Sequence, residues 1–173
     1  MPHSLRHLLA VVLEEYRLPV DGVHGINHWG RVLENGRRLC PVTGADPSVI
    51  EVFALLHDAK RSNEGYDPEH GPRAAAFARR IRSAVPLSDA LFDLLLTACE
   101  VHTRGADPGA DATVLTCLDA DRLDIPRVGK RIRVEFLSRA AAGETQTIAW
   151  AARRAAALRT PGVVSREWGW PGT

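Results

Sequence analysis

The chain is short of almost everything that would mark it for a membrane, an oxidising compartment or a nucleic acid. Its 173 residues contain no apolar run of about 18, the length that would suggest a membrane span. The opening Met1-Pro2-His3-Ser4 lacks the charged and apolar regions of a signal peptide. Cysteine is scarce and odd in number: Cys40, Cys99 and Cys117 lie far apart and form no CxxC pair. That pattern excludes a disulfide framework and a thiolate zinc site, and fits a reduced, cytoplasmic protein. The net charge is +1, so there is no global basic field and no strong nucleic-acid signal. Strand patterning is also nearly missing; only Lys130 to Leu137 alternates, weakly enough to read as irregular. No internal repeat is visible.

What remains is a chain 45% apolar and 25% charged, globular in composition and of single-domain length. Its apolar residues fall at helical spacing. Leu5, Leu8, Leu9, Val12 and Tyr16 mark a first helix, with Ser4 as cap and an end before Pro19. A second is expected from Gly22 to Cys40, with Asp21 as N-cap. One face carries His24, His28, Arg31, Val32, Asn35 and Leu39, too polar for plain core and suggestive of a site wall. Asp46-Pro47 starts a third helix, with aspartate as N-cap and proline at the first helical position. Its stripe of Ile50, Phe53, Ala54 and His57 is apolar until the last member. Asp67-Pro68 is expected to start a fourth, aligning His70 with Ala74, Phe77 and Ile81. Ser88 caps a fifth, where Leu91, Leu94, Leu95, Ala98 and His102 share a face. After a loop of Gly, Pro and Asp from Thr103, a sixth helix aligns Val114, Cys117, Leu118 and Asp121, and Glu144 to Leu158 forms a last, Ala-rich one. The reading is an all-α, single-domain helical bundle over 1–173. Trp168 and Trp170, in the tail, have no assigned place.

His28, His57 with Asp58, His70, His102 and Asp121 therefore each sit on an apolar stripe. Any one can be a core residue hydrogen-bonded to a backbone carbonyl. Together they would each need a separate buried partner, whereas one shared metal site satisfies all of them. Imidazole and carboxylate suit Mn, Fe, Zn, Ni or Mg, and ligands in a bundle project inward from facing helices. The adjacent His57 and Asp58 diverge by about 100°, so Asp58 can bridge two ions.

The order His, His-Asp, His, His, Asp resembles that of the HD-domain metal-dependent phosphohydrolases. His28-Trp29-Gly30-Arg31-Val32 is similar to the family's first metal histidine followed by Arg-Val, and Leu55-Leu56-His57-Asp58 to its naming signature. Glu69-His70-Gly71 and His102 resemble the histidines of members with extra ligands. Asp119-Ala120-Asp121-Arg122-Leu123-Asp124 resembles the closing motif, in which the aspartate before Arg-Leu is the ligand. The likeness covers about residues 22–124; nothing from 125 to 173 matches.

The resemblance implies an all-α fold of the HD type and hydrolysis of a small-molecule phosphate ester, often a nucleotide, by a phosphomonoesterase or phosphodiesterase. It implies one or two divalent ions held by His28, His57, Asp58 and Asp121. His70 and His102 are left for a second ion or for substrate phosphate, so that Asp58, His70 and His102 are the catalytic candidates. Arg31, Lys60, Arg61 and Arg122 are candidates for neutralising phosphate, or else solvated helix-end charges. His24, Asn63, Glu64 and Asp67 are candidates for supporting the ligands or touching substrate; the last three are also ordinary turn formers. Trp29 and Tyr66 can stack on a base, though core packing is the simpler reading. A metal-containing module that binds a nucleotide without turnover is the alternative of a different class.

Overall fold

Capping chemistry and helical periodicity account for most of the architecture in the computed structural model, which describes residues 3–170. The helices are α1 (His3–Glu15), α2 (Ile26–Thr43), α3 (Pro47–Leu56), α4 (His70–Arg80), α5 (Asp89–Val101), α6 (Ala112–Arg122), α7 (Arg139–Ala142), α8 (Thr145–Ala156) and α9 (Gly162–Arg166). Short 3-10 turns cover Arg82–Ala84, Ile125–Val128 and Val134–Phe136. There is no strand among the described residues, so the chain is all-α. No described helix is long and apolar enough to cross a membrane.

The start of α3 follows the sequence rule closely. The Asp46 carboxylate accepts from Ser48 N at 2.8 Å and from Val49 N at 3.4 Å, and Pro47 takes the first helical position. Asp111 starts α6 in the same way, accepting from Thr113 N at 2.7 Å. Ser88 occupies the N-cap position of α5, but without a side-chain cap bond.

Four expected boundaries are corrected. Helix α1 begins at His3, so Ser4 lies inside it and does not cap it. Helix α2 begins at Ile26, not Gly22. Residues 19–25 instead close a tight turn, in which Gly22 N donates to Pro19 O and Ile26 N to Val20 O. His24 therefore precedes α2 and does not share a helix with His28. At the other end α2 runs past Cys40 to Thr43. Pro41 removes only one donor near a helix end, and Gly44, with φ of 75°, stops the helix by donating to Cys40 O at 3.0 Å. Helix α4 begins at His70, and the Asp67 carboxylate caps none of its backbone N–H groups, because other donors occupy it. The Asp67 carboxylate accepts from Ser62 N at 2.8 Å and from Arg73 at 2.5 Å.

Helices α2, α3, α5 and α6 pack together at the centre, with α4 against α5 and α1 across α3. Their stripes close one core that includes Leu8, Val12, Trp29, Ile50, Phe53, Leu95 and Leu118. Trp29 is fully buried and meets Tyr16 edge-on at 4.9 Å, so it is core and not a base platform. A smaller cluster of Leu39, Leu123, Leu137, Ala141 and Ala151 seats the C-terminal helices on the back of α2. Trp168 is buried against the main core, and Trp170 packs partly against it. The Arg37–Glu167 ion pair at 2.8 Å fastens the α9 end to α2.

Helices α4 and α5 approach closely at Gly71. A methyl there would lie 2.5 Å from Cys99 O and 3.2 Å from His102 Nδ1. Gly71→Ala is expected to push the two helices apart at a cost of about 1–3 kcal/mol, as overpacking does. A thermal melt reads the cost, and an unchanged melting temperature would contradict it.

Candidate metal centre

The ends of α3 and α5 and the beginning of α4 deliver their histidines to one point. His57 and Asp58 follow the last residue of α3, His102 follows α5, and His70 opens α4. His28 comes from the first turn of α2 and Asp121 from the last turn of α6. His28, His57, His70 and Asp58 are buried, His28 and His57 completely, and the His102 side chain is 3% exposed. Asp121 is the most open, its side chain 23% exposed.

The backbone and one carboxylate fix the orientation of all four imidazoles. His57 Nδ1 donates to Phe53 O at 3.1 Å, and His102 Nδ1 to Cys99 O at 2.7 Å. His70 Nδ1 donates to the carbonyl of Asp67. His28 Nδ1 donates to Asp124 Oδ2 at 2.7 Å. A carbonyl or carboxylate oxygen can only accept, so Nδ1 carries the proton in each neutral ring. Every Nε2 lone pair therefore points into the centre. His28 Nε2 and His57 Nε2 are 3.0 Å apart, and His70 Nε2 and His102 Nε2 are 2.8 Å apart. Two ring nitrogens this close share either a proton or a metal ion, because two bare lone pairs would repel.

Asp58 joins the two pairs. Its Oδ2 lies 3.4 Å from His28 Nε2 and 3.7 Å from His57 Nε2. Its Oδ1 lies 3.0 Å from His70 Nε2 and 3.9 Å from His102 Nε2. Asp121 Oδ1 completes the first group, 3.4 Å from His28 and 3.9 Å from His57. Two donors about 2.1 Å from one ion lie about 3.0 Å apart at a right angle and about 3.4 Å apart at the tetrahedral angle. The donor set thus fits a metal: His28, His57 and Asp58 can hold one ion, and Asp58, His70 and His102 can hold another.

The electrostatics favour a cation here. Burial and the Arg127 guanidinium oppose a charge on His28, yet Asp121, Asp124 and Asp58 outweigh them and push its imidazole up to about 9. Burial dominates at His57 and takes it down to about 3, despite Asp58 and Asp121. Burial alone would raise Asp58, but the surrounding histidines, His57 foremost, hold it well below the usual carboxylate range.

Of the phosphate candidates, only Arg61 stands at the ligands. Its Nη1 is 3.6 Å from Asp58 Oδ1 and 3.2 Å from His70 Nδ1, and its Nη2 donates to Gly65 O at 2.6 Å. The other three are engaged by nearer partners. Arg31 donates to Asp124 Oδ1 at 2.7 Å and to Arg159 O at 3.1 Å, so it supports the carboxylate that orients His28. Lys60 pairs with Glu15 at 3.0 Å and lies over Phe77. Arg122 donates to Phe136 O, with Asp119 3.6 Å away.

Among the supporting candidates, Asp67 positions His70 through its carbonyl and braces the loop through its carboxylate. Glu64 pairs with His24, whose ring meets His28 edge-on at 6.2 Å. Asn63 closes a turn by accepting from Gly65 N at 2.7 Å. Tyr66, on the same loop, is 90% exposed.

Two further residues stand at the centre, Asp124 and Arg127, which no apolar stripe marks in the sequence. Asp124 sits one turn beyond Asp121, and Arg127 one turn further, its Nη1 4.0 Å from Asp121 Oδ1. An i, i+3, i+6 charge series at the end of a helix was the available signal. Asp124→Asn is expected to weaken metal binding by about 10–100-fold, as loss of a partner behind a ligand does. Asp124→Ala also strands the buried Arg31 and should cost about 3–5 kcal/mol. Metal titration of the first variant and denaturant unfolding of the second check the pair. Wild-type metal affinity in Asp124→Asn would remove the carboxylate from the centre's support. No family model, curated protein or solved structure matches the chain.

Proposed function

We propose that the protein is a metal-dependent phosphohydrolase of the HD-domain kind, acting on a small-molecule phosphate ester, nucleotides included. The observation that carries this reading is the convergence of His28, His57, Asp58, His70, His102 and Asp121, in the order the resemblance requires, with every Nε2 turned inward. His28, His57, Asp58 and Asp121 would hold a first ion, and Asp58 with His70 and His102 would hold a second. The mixed nitrogen and oxygen set suits Mn, Fe, Zn, Ni or Mg. Bound there, a divalent ion supplies a Lewis acid that polarises a phosphoryl oxygen and acidifies water near neutrality.

The chain's own residues do the rest. Arg61, held by the Asn63 and Gly65 carbonyls, keeps a guanidinium beside Asp58 and His70, where it can pair with a phosphate oxygen. Arg127 places a second cation near Asp121, the open side of the centre. The burial of the other ligands keeps bulk water from competing for the phosphate. A cytoplasmic setting suits the buried free thiols Cys99 and Cys117.

The near closure of the centre favours one second reading, a metal-holding module that binds a nucleotide without turnover. A panel of phosphomonoesters, phosphodiesters, nucleotides and cyclic dinucleotides, run with each of these metals, separates the two. Turnover abolished in Arg61→Ala supports the hydrolase. Nucleotide binding with no turnover under any metal supports the module.

A further inference from the structure

Away from the metal ligands, the stretch after α6 folds back on that helix and leaves a cleft of about 370 Å³. Arg122, Ile125, Lys130, Arg131, Arg133 and Phe136 line it, and none of them is a metal ligand. Arg122 follows Asp121 by one residue and so points about 100° away from it around α6. The two sites therefore use different faces of the same helix end. Arg122 donates to Phe136 O and ties the wall of the cleft to α6.

The lining is four cations and two apolar side chains. Arg122 is partly neutralised by Asp119 at 3.6 Å, and Arg133 by Glu135 at 2.8 Å. Lys130 and Arg131 have no carboxylate within ion-pair distance among the described residues, which leaves the cleft about two charges positive. Phe136 is 53% exposed, and the Arg133 guanidinium lies over its ring at 4.1 Å, which steadies the ring as a platform. The volume lies within the range of about 300–1,000 Å³ typical of small-ligand sites.

We propose that this cleft is a second ligand site, separate from the metal centre, for a small molecule that joins two phosphate-type charges to a flat apolar body, the chemistry of a nucleoside diphosphate. Lys130 and Arg131 take the charges, and Phe136 and Ile125 take the flat face. The site does not depend on the hydrolase reading, because no metal ligand lines it.

Calorimetric titration of the full, metal-loaded chain with the non-hydrolysable α,β-methylene analogue of ADP tests it. The double charge reversal Lys130→Glu/Arg131→Glu, at exposed positions, should weaken binding by about tenfold or more. Phe136→Ala should weaken it several-fold, and added salt should weaken the wild type but not the reversed variant. Asp58→Ala, or His102→Ala should the first fold poorly, should bind the analogue as the wild type does at this site. Undiminished affinity in the charge-reversed protein, loss of all binding in a correctly folded metal-ligand variant, or no binding by the wild type at millimolar analogue would each overturn the proposal.

Discussion

Asp58→Ala is expected to empty both halves of the metal centre at once. The carboxylate is common to the two donor groups, with Oδ2 facing His28 and His57 and Oδ1 facing His70 and His102. Among the described residues, Asp58 is the one side chain common to both groups. Removing it also takes away the charge that offsets buried cations, so the remaining histidines lose both a co-ligand and a counter-charge. The fall in metal affinity should exceed the factor of about 10–100 expected for a partner behind a ligand. His57→Ala should be nearly as severe for the first group, since His57 is fully buried and supplies one of that group's two imidazoles. Elemental analysis of the purified variants reads the result. Metal at wild-type levels in both would sink the assignment. Because a metal present at about a thousand times its dissociation constant adds about 4 kcal/mol, chelation should lower the melting temperature of the wild type and leave Asp58→Ala little changed. A wild-type melting curve that does not move after verified metal removal would speak against the coupling.

The His70→Ala/His102→Ala double variant is expected to drop the metal content from about two ions per chain to about one. The two Nε2 atoms lie 2.8 Å apart with Asp58 Oδ1 as their third donor among the described residues, whereas the first group has four donors with Asp121. The second ion should therefore be the weaker and the first to leave on dilution. Should the wild type hold a single ion, the same variant should keep it and lose affinity for inorganic phosphate instead. Metal content and phosphate affinity both unaltered would return His70 and His102 to the role of core histidines bound to the Cys99 and Asp67 carbonyls. The Gly71→Ala variant offers a cross-check. It should loosen the second ion while sparing the first, because the added methyl crowds His102 and not His57.

The residues that converge at the candidate centre were legible in the sequence because each interrupts a local pattern. His57 breaks an apolar stripe of period 3.6, and a polar residue on such a stripe must find a partner. The same argument reached His28, His70, His102 and Asp121, and the adjacency of His57 and Asp58 on consecutive positions foretold that one carboxylate would reach both groups. Helix starts written in short-range chemistry, such as Asp46-Pro47, were legible for the same reason. Boundaries set by competing partners were not. Asp67 reads as a cap, yet its carboxylate goes to Ser62 and Arg73, and α4 begins at His70.

The choice of cation partners was decided only by the tertiary structure. Arg31, Lys60, Arg61 and Arg122 look alike along the chain, since each is a long flexible cation near a ligand. A guanidinium or ammonium reaches several ångströms and settles on whichever acceptor the fold brings nearest. Arg61 found Gly65 O, which leaves it beside Asp58, Arg31 found Asp124, Lys60 found Glu15 and Arg122 found Phe136 O. The pairing of His28 with Asp124, 96 positions apart, and the seating of residues 125–170 on the back of α2 have the same character. By itself the sequence determined the all-α class and the residues that converge, because both follow from periodicity within one helix. The fold decided which charges stand at the centre, because contact between distant segments depends on packing that no local pattern encodes.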